Sequence, residues 1–311
     1  MSKPVVFVCG ITGTQGHAVG TAFTSHAVPL RALVRDPSTP AATQLGDAFG
    51  DALTVFHGDY DNATALHDAM TGCTALFLNL SPSFTDPSAE VRHAEALLAA
   101  AKVAGVTHII YSSGLSVNDP ERLPHWDPKS FTAAVLLSKA TIEEKVQTAG
   151  FPRWTILRPG NFMANYTLPL VRMYPGLTTT GRWSTALLPD SVLPMIDPAT
   201  IGAFAAAAVL DPTRFHEQAI EIADEFMTLD ELMPKLSAAA GRHLQAVHMT
   251  EEEIEAQKGA NPMVAAMLMM RDLSIFVDLA KVKSWGVPLS SFDRFLERER
   301  SCVLETYGET Q

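Results

Sequence analysis

An apolar run, Val5-Val6-Phe7-Val8-Cys9, leads directly into Gly10-Ile11-Thr12-Gly13-Thr14-Gln15-Gly16. The run has the character of a buried parallel strand, and residues 18–23 continue as an apolar helical stretch. The glycines therefore stand where a strand must turn into a helix. Each meets a separate demand. Gly10 permits the tight turn, Gly13 lets backbone N–H groups approach a pyrophosphate, and Gly16 lets the helix pack closely on the strand. A glycine pattern alone is weak evidence. Set between that strand and that helix, it predicts a dinucleotide site built on Gly10, Thr12, Gly13, Thr14, Gln15 and Gly16.

The second strand narrows the cofactor. Pro29-Leu30-Arg31-Ala32-Leu33-Val34-Arg35 ends about twenty residues beyond the glycine turn, where NAD-selective sites place a carboxylate for the ribose 2′-OH. Here the strand ends in Arg35, whose planar fork suits a 2′-phosphate. Asp36 follows, free to face solvent or to cap the next turn. NADP(H) is the expected cofactor, with Arg35 as a plain surface charge the alternative.

From residue 1 to about 160, short apolar runs alternate with helical segments. Strands are expected at 53–57, 75–80, 108–113 and 154–157, and helices at 89–104 and about 130–148. This is α/β organisation: a Rossmann-type doubly wound parallel sheet with a smaller α/β C-terminal domain. Ligands in such sheets lie outside the carboxyl ends of the strands, which puts Gly10, Arg35, Asp59, Asn79, Ser112 and Gly160 along one edge. Beyond Pro159 the pattern is mixed. Residues 196–209 return to the first domain, with Asp197 before a helix rich in alanine. Thr228-Leu229-Asp230-Glu231 and Thr250-Glu251-Glu252-Glu253 are capping-box signatures, residues 244–249 suit a short strand, and Asn261-Pro262 opens a methionine-rich helix. The expected domains are 1–159 plus about 190–225 for the nucleotide, and 160–189 with 226–311 for a substrate or partner.

Composition removes several function classes. A formal net charge of −11 argues against direct nucleic-acid binding, and Arg294, Arg298 and Arg300 read as a solvated helix face. No apolar stretch is long enough to span a bilayer, and Met1-Ser2-Lys3-Pro4 enters the first strand without a signal-peptide pattern. Cys9, Cys73 and Cys302 are scattered, with no metal-ligand spacing. The expectation is a reduced, soluble, cytoplasmic protein with nuclear access open to it, and without a metal or a membrane partner.

The assembled pieces resemble the NmrA-like family of atypical short-chain dehydrogenases. The matching residues are the glycine turn, Leu33-Val34-Arg35-Asp36-Pro37, Gly58-Asp59-Tyr60, Ser138-Lys139, and Leu157-Arg158-Pro159-Gly160-Asn161-Phe162-Met163-Ala164-Asn165. They cover roughly the first two thirds of the chain in the expected order; the last third matches loosely. The resemblance implies an NADP-binding Rossmann domain joined to a small α/β domain, with a cleft between them. It adds Tyr60, Lys139, Pro159, Asn161 and Phe162 to Asp59 and Asn79 as cofactor contacts. Some members of the family are redox-sensing regulators that bind a dinucleotide and a protein partner. Others transfer hydride from NADPH.

Ordinary short-chain dehydrogenases place a tyrosine four residues before a lysine, which lowers the tyrosine pKa for proton exchange. Here Lys139 stands in the lysine position and Val135 in that of the tyrosine. Ser112 or Ser113 remains with Lys139. The lysine can orient the cofactor, act as acid and base, as in the similar benzylic ether reductases, or be a surface charge. Tyr166 is the candidate replacement donor, with an aromatic wall as the alternative; Tyr111 reads as core, and the His125-Trp126 loop as a lid or a plain surface loop. Phe162, Met163, Trp183, Met195, Met267 and Phe276 either line a pocket for a small apolar substrate or fill a core. Three functions follow: an NADP(H)-binding redox sensor with a protein partner, slightly favoured by the missing tyrosine; an NADPH-dependent reductase of a small quinone, enone or carbonyl compound using Lys139; and, more weakly, a structural partner without nucleotide. Whether the protein is an enzyme stays open.

Overall fold

The computed structural model describes residues 3–83 and 85–308; Met1, Ser2 and the outermost domain limits, 1 and 311, lie outside them. In chain order the strands are β1 (Val6–Val8), β2 (Leu30–Val34), β3 (Leu53–His57), β4 (Ala75–Leu78), β5 (His108–Ser112), β6 (Arg153–Pro159), β7 (Asn161–Phe162), β8 (Arg182–Thr185), β9 (Leu193–Ile196), β10 (Gln218–Ile222), β11 (Glu225–Met227) and β12 (Gln245–His248). Seven of them form one sheet in the order β10-β6-β5-β4-β1-β2-β3. Strands β1 to β6 pair in parallel, with Val6 opposite both Leu30 and Ala75, and His108 opposite Ala75 and Arg153. The apolar runs explain this architecture. Every residue of β1, β4 and β5 is buried, as strands covered on both faces require. Strand order reverses about β1 and β4, so the crevice expected for a ligand lies at their carboxyl ends.

The chain divides into two compact units. The first takes the residues up to Val117, then Val135–Arg158 and Pro198–Ile220. Its helices are α1 (Thr14–Ser25), α2 (Pro40–Phe49), α3 (Ala63–Met70), α4 (Ala89–Val103), most of α5 (Phe131–Thr148), α6 (Pro198–Leu210) and α7 (Pro212–Phe215). Helix α6 packs on α1 despite its distance along the chain. Gly202 makes this possible, because a methyl group there would lie 2.6 Å from the Ala18 carbonyl oxygen.

The second unit takes Asn118–Ala134, Pro159–Asp197 and the chain from Glu221 onward. Residues 118–134 thus cluster with this unit, where the sequence keeps them with the nucleotide domain. Strand β9 pairs antiparallel with β11 and parallel with β7, while β8 and β12 form a separate parallel pair. Helices α8 (Leu229–Ala240), α9 (Glu251–Gln257), α10 (Pro262–Met270), α11 (Leu279–Ser284), α12 (Phe292–Arg298) and α13 (Arg300–Tyr307) complete it. Both capping boxes form, at Thr228 with Glu231 and at Thr250 with Glu253, and Asn261 caps α10 through the Met263 N–H.

Two readings of the sequence are refined here. Met163, Trp183, Met195 and Met267 are buried in the core of this unit, so they fill volume rather than line an open pocket; Phe162 and Phe276 keep partial exposure. Arg298 keeps 43% of its side chain exposed, but it is more than a solvated surface charge. Its guanidinium binds both carboxylate oxygens of the fully buried Asp197 at 2.8 Å, and Ser290 Oγ donates to the same carboxylate at 2.8 Å. A buried carboxylate needs such partners, and periodicity along one helix gives no sign of a carboxylate a hundred residues away.

Candidate functional site

Gly10 sits at φ +63°, and the Gly13 N–H donates to its carbonyl oxygen at 2.9 Å, closing the turn. A methyl group on Gly16 would overlap that same carbonyl oxygen, so the first turn of α1 can lie against the loop only with glycine there. Gly13 is the N-cap and no side chain caps the helix, which leaves its leading N–H groups for an anion. The side-chain oxygen of Gln15, in the first turn, is buried without a hydrogen-bond partner among the described residues. Tyr60 braces the turn from below: its hydroxyl accepts the Gly10 N–H at 3.0 Å. Burial, and next the neighbouring Cys9, push the Tyr60 hydroxyl well above its usual pKa. Burial pushes the Cys9 thiol up to about 12, against opposing hydrogen bonds from the Asn79 backbone and Tyr60.

Beside the turn opens a cavity of about 680 Å³ within the first unit. Gly10, Thr12, Arg35, Asp59, Tyr60 and Asn79 all line it, so six of the residues singled out in the sequence converge. The structure also distinguishes Arg35 from Asp36. One Asp36 carboxylate oxygen accepts from the Ser38 N–H at 2.8 Å and from the Ser38 hydroxyl at 2.6 Å, and these bonds lower its pKa. Asp36 is therefore committed to its own turn. Arg35 is held through its backbone, whose carbonyl oxygen lies 3.1 Å from His57 Nε2, and its guanidinium makes no ion pair among the described residues.

Lys139 lies on α5 with its Nζ 2.7 Å from Glu90 Oε1 and 3.5 Å from the Leu80 carbonyl oxygen. Leu80 and Ala89, the residue before Glu90, both belong to the cavity wall. The Ser138 hydroxyl donates to the other Glu90 oxygen at 2.8 Å. Glu90 is the residue that sequence reasoning misses. An acid in the first turn of α4 reads as an ordinary partner of the helix dipole, and only folding brings it to Ser138 and Lys139.

Ser112 and Lys139 share no hydrogen bond among the described residues. Ser112 Oγ is buried without a partner, and strand alternation turns it away from the face of Tyr111, whose hydroxyl is driven well above its usual pKa by burial and then by the Glu90 and Glu143 charges. The serine that reaches α5 is Ser113, which donates to Glu143 Oε1 at 2.6 Å. Arg158 completes that buried cluster with bonds of 3.0 and 2.6 Å to the two Glu143 oxygens. In the second unit Tyr166 is fully buried, ringed by Tyr174, Trp183 and Phe292. Pro159 closes β6, Asn161 is buried with its amide nitrogen 3.4 Å from Met195 sulfur, and Phe162 is half-buried in β7. Trp126 is half-buried and His125 exposed, while the nearby Arg122 guanidinium lies 5.0 Å from the Phe276 ring centre.

The signature of the NmrA-like family spans residues 2–292. The chain belongs to the NmrA-like family. Among similar proteins, the (4-alkanoyl-5-oxo-2,5-dihydrofuran-3-yl)methyl phosphate reductase of Streptomyces griseus is 30% identical, over 78% of this chain and 76% of that protein. The fold is shared with an NADPH-dependent quinone oxidoreductase of Escherichia coli complexed with NADPH, at a TM-score of 0.69 and 24% identity over 94% of this chain and 99% of that one. It is shared also with NmrA, a negative transcriptional regulator in complex with NAD, at a TM-score of 0.67 and 19% identity over 98% and 96% of the two chains. The NmrA-like turn in this chain suits a nicotinamide dinucleotide on its own geometry: a helix start without a side-chain cap, a glycine cradle that a methyl group would fill, and a cavity-lining arginine whose guanidinium makes no ion pair among the described residues. No helix among the described residues is long and apolar enough to cross a membrane.

Proposed function

We propose that this NmrA-like protein is an NADPH-dependent reductase of a small, electron-poor conjugated acceptor such as a quinone, enone or carbonyl compound. The observation that carries the reading is Lys139, whose ammonium sits against Leu80 and Glu90 beside the glycine-lined cavity. The kinship with a reductase at 30% identity supports the same reading. When bound, NADPH supplies one hydride, two electrons with one hydrogen, to an electron-poor atom of the acceptor. The anion so formed needs one proton. Lys139 holds an N–H suited to give it or to orient the cofactor ribose, and solvent then restores the ammonium. The leading N–H groups of α1 hold the pyrophosphate, and Arg35 takes the 2′-phosphate, since Asp36 is engaged by Ser38. Tyr166, enclosed in a core, has no part in this scheme.

A second reading, a dinucleotide sensor with a protein partner, draws on Val135 in place of the usual tyrosine. The two part on one assay: NADPH oxidation by the purified protein against quinones, enals and aromatic carbonyls, with Lys139→Ala alongside and nucleotide binding measured in the same samples. A reductase shows acceptor-dependent oxidation that collapses in a variant still binding NADPH. Tight binding without turnover on any acceptor class favours the sensor.

A further inference from the structure

We infer that Glu90 is the positioning residue for Lys139, fixing its ammonium behind Leu80, a wall residue of the cavity beside the glycine turn, in place of the absent tyrosine. The inference rests on the reading that Lys139 serves the nucleotide site. Glu90 is an unusual carboxylate: its side chain is 1% exposed, against 13% for that of Lys139. A buried carboxylate is costly unless every oxygen is met, and here both are, one by Lys139 and one by Ser138. Its place in the first turn of α4 adds the favourable field of the helix dipole. The carboxylate thus has a fixed location, and of the pair only the lysine reaches the surface.

The geometry leaves the ammonium partly unspent. It has three N–H groups. Glu90 takes one at 2.7 Å, and the Leu80 carbonyl, at 3.5 Å, holds another only loosely. At least one N–H remains for a ribose hydroxyl or an acceptor oxygen, and Glu90 sets where it can point. Ser138, adjacent to Lys139 on α5, anchors the second oxygen and stops the carboxylate from rotating away. The Ser138-Lys139 pair therefore has a joint purpose: both residues address one buried acid from the opposite helix.

The test is a double-mutant cycle read by NADPH affinity, with the fluorescence of the bound nucleotide as signal. Glu90→Gln keeps the shape and removes the charge, and Lys139→Met removes the ammonium. Each is expected to weaken NADPH by about tenfold, the worth of one charge-assisted hydrogen bond. The double variant should be no weaker than Lys139→Met alone, because Glu90 acts only through the lysine. Ser138→Ala, the gentler change, should weaken binding a few-fold and lose that effect in the Lys139→Met background. With an acceptor that turns over, Glu90→Gln should lower kcat and leave the acceptor KM unchanged. Additive losses in both cycles, or a Glu90→Gln protein with wild-type NADPH affinity, would overturn the inference. Lack of turnover on every acceptor would sink the reductase reading instead, and the binding cycle would still decide the role of Glu90.

Discussion

At the residue scale, the decisive contrast is between two neighbours, Arg35 and Asp36. Both line the cavity, but one carboxylate oxygen of Asp36 is taken by the Ser38 N–H and hydroxyl, while the Arg35 guanidinium makes no ion pair among the described residues. Arg35→Ala is therefore expected to weaken NADPH by roughly 10- to 100-fold, the loss of a charged contact to phosphate, and NADH by less than about twofold. Parallel titrations with both nucleotides check this, and equal losses would remove the phosphate clamp. Gly16→Ala is a harsher change, since its methyl group would meet backbone rather than a movable side chain. We expect loss of measurable nucleotide binding and a lower Tm, both read from one thermal-shift series with and without NADPH. The glycine turn and the place of Arg35 in the cavity wall were legible in the sequence because they are local to one turn or one strand end. Glu90 was not, because its meaning comes from a lysine 49 positions away.

At the scale of elements, ends and junctions carry the specificity. Asp197 follows β9, Asp224 precedes β11, and Ser290 and Arg298 flank or end α12; together they form one polar knot in the second unit. The Asp197 N–H and the Ser290 N–H each donate to Asp224 at 2.7 Å, while Arg298 neutralises Asp197. Arg298→Ala leaves a fully buried carboxylate short of its cation. The side chain lost is itself 43% exposed, so solvent offsets part of the penalty, and a destabilisation of about 2 kcal/mol is expected in urea unfolding. Arg294→Ala, on the neighbouring helical turn, should stay within about 0.5 kcal/mol of wild type. Thr228→Ala removes one half of a complete capping box and should cost about 1 kcal/mol in the same experiment.

For the whole molecule, acid sensitivity has an identifiable source in the first unit. His108 is buried in the sheet, with its Nε2 3.0 Å from Thr155 Oγ1, and that hydroxyl donates its proton to the Phe215 carbonyl at 2.8 Å. Thr155 can therefore only accept from the imidazole, which places the proton of the neutral ring on Nε2. Burial, then the charges of Arg153 and His216, push the His108 pKa down to about 4. An unfolded histidine titrates near 6.5, so between those values the unfolded chain binds a proton that the native one refuses. The stabilisation is complete above pH 6.5 and is lost as pH falls toward 4, by at most about 1.4 kcal/mol per pH unit. His108→Gln should flatten that acid limb by close to one proton in urea midpoints measured from pH 7 to 4.5, and an unchanged slope would place the sensitivity elsewhere.

The division between what was written along the chain and what needed the fold follows interaction range. Buried parallel strands announce themselves as unbroken apolar runs, and a strand-glycine-helix turn is a local solution to one steric problem, so the doubly wound sheet, the nucleotide turn, both capping boxes and the Asn261 cap were determined by the sequence alone. Which serine meets α5, whether a methionine lines space or fills it, and which acid a lysine or arginine answers depend on faces and neighbours brought together across many tens of residues. Ser113 rather than Ser112, Glu90 behind Lys139, Asp197 beneath Arg298, and the enclosure of Tyr166 were decided only by tertiary packing. The physical reason is that burial turns a charge or hydroxyl from a solvated group into one that must find a partner, and the partner is chosen by proximity in space.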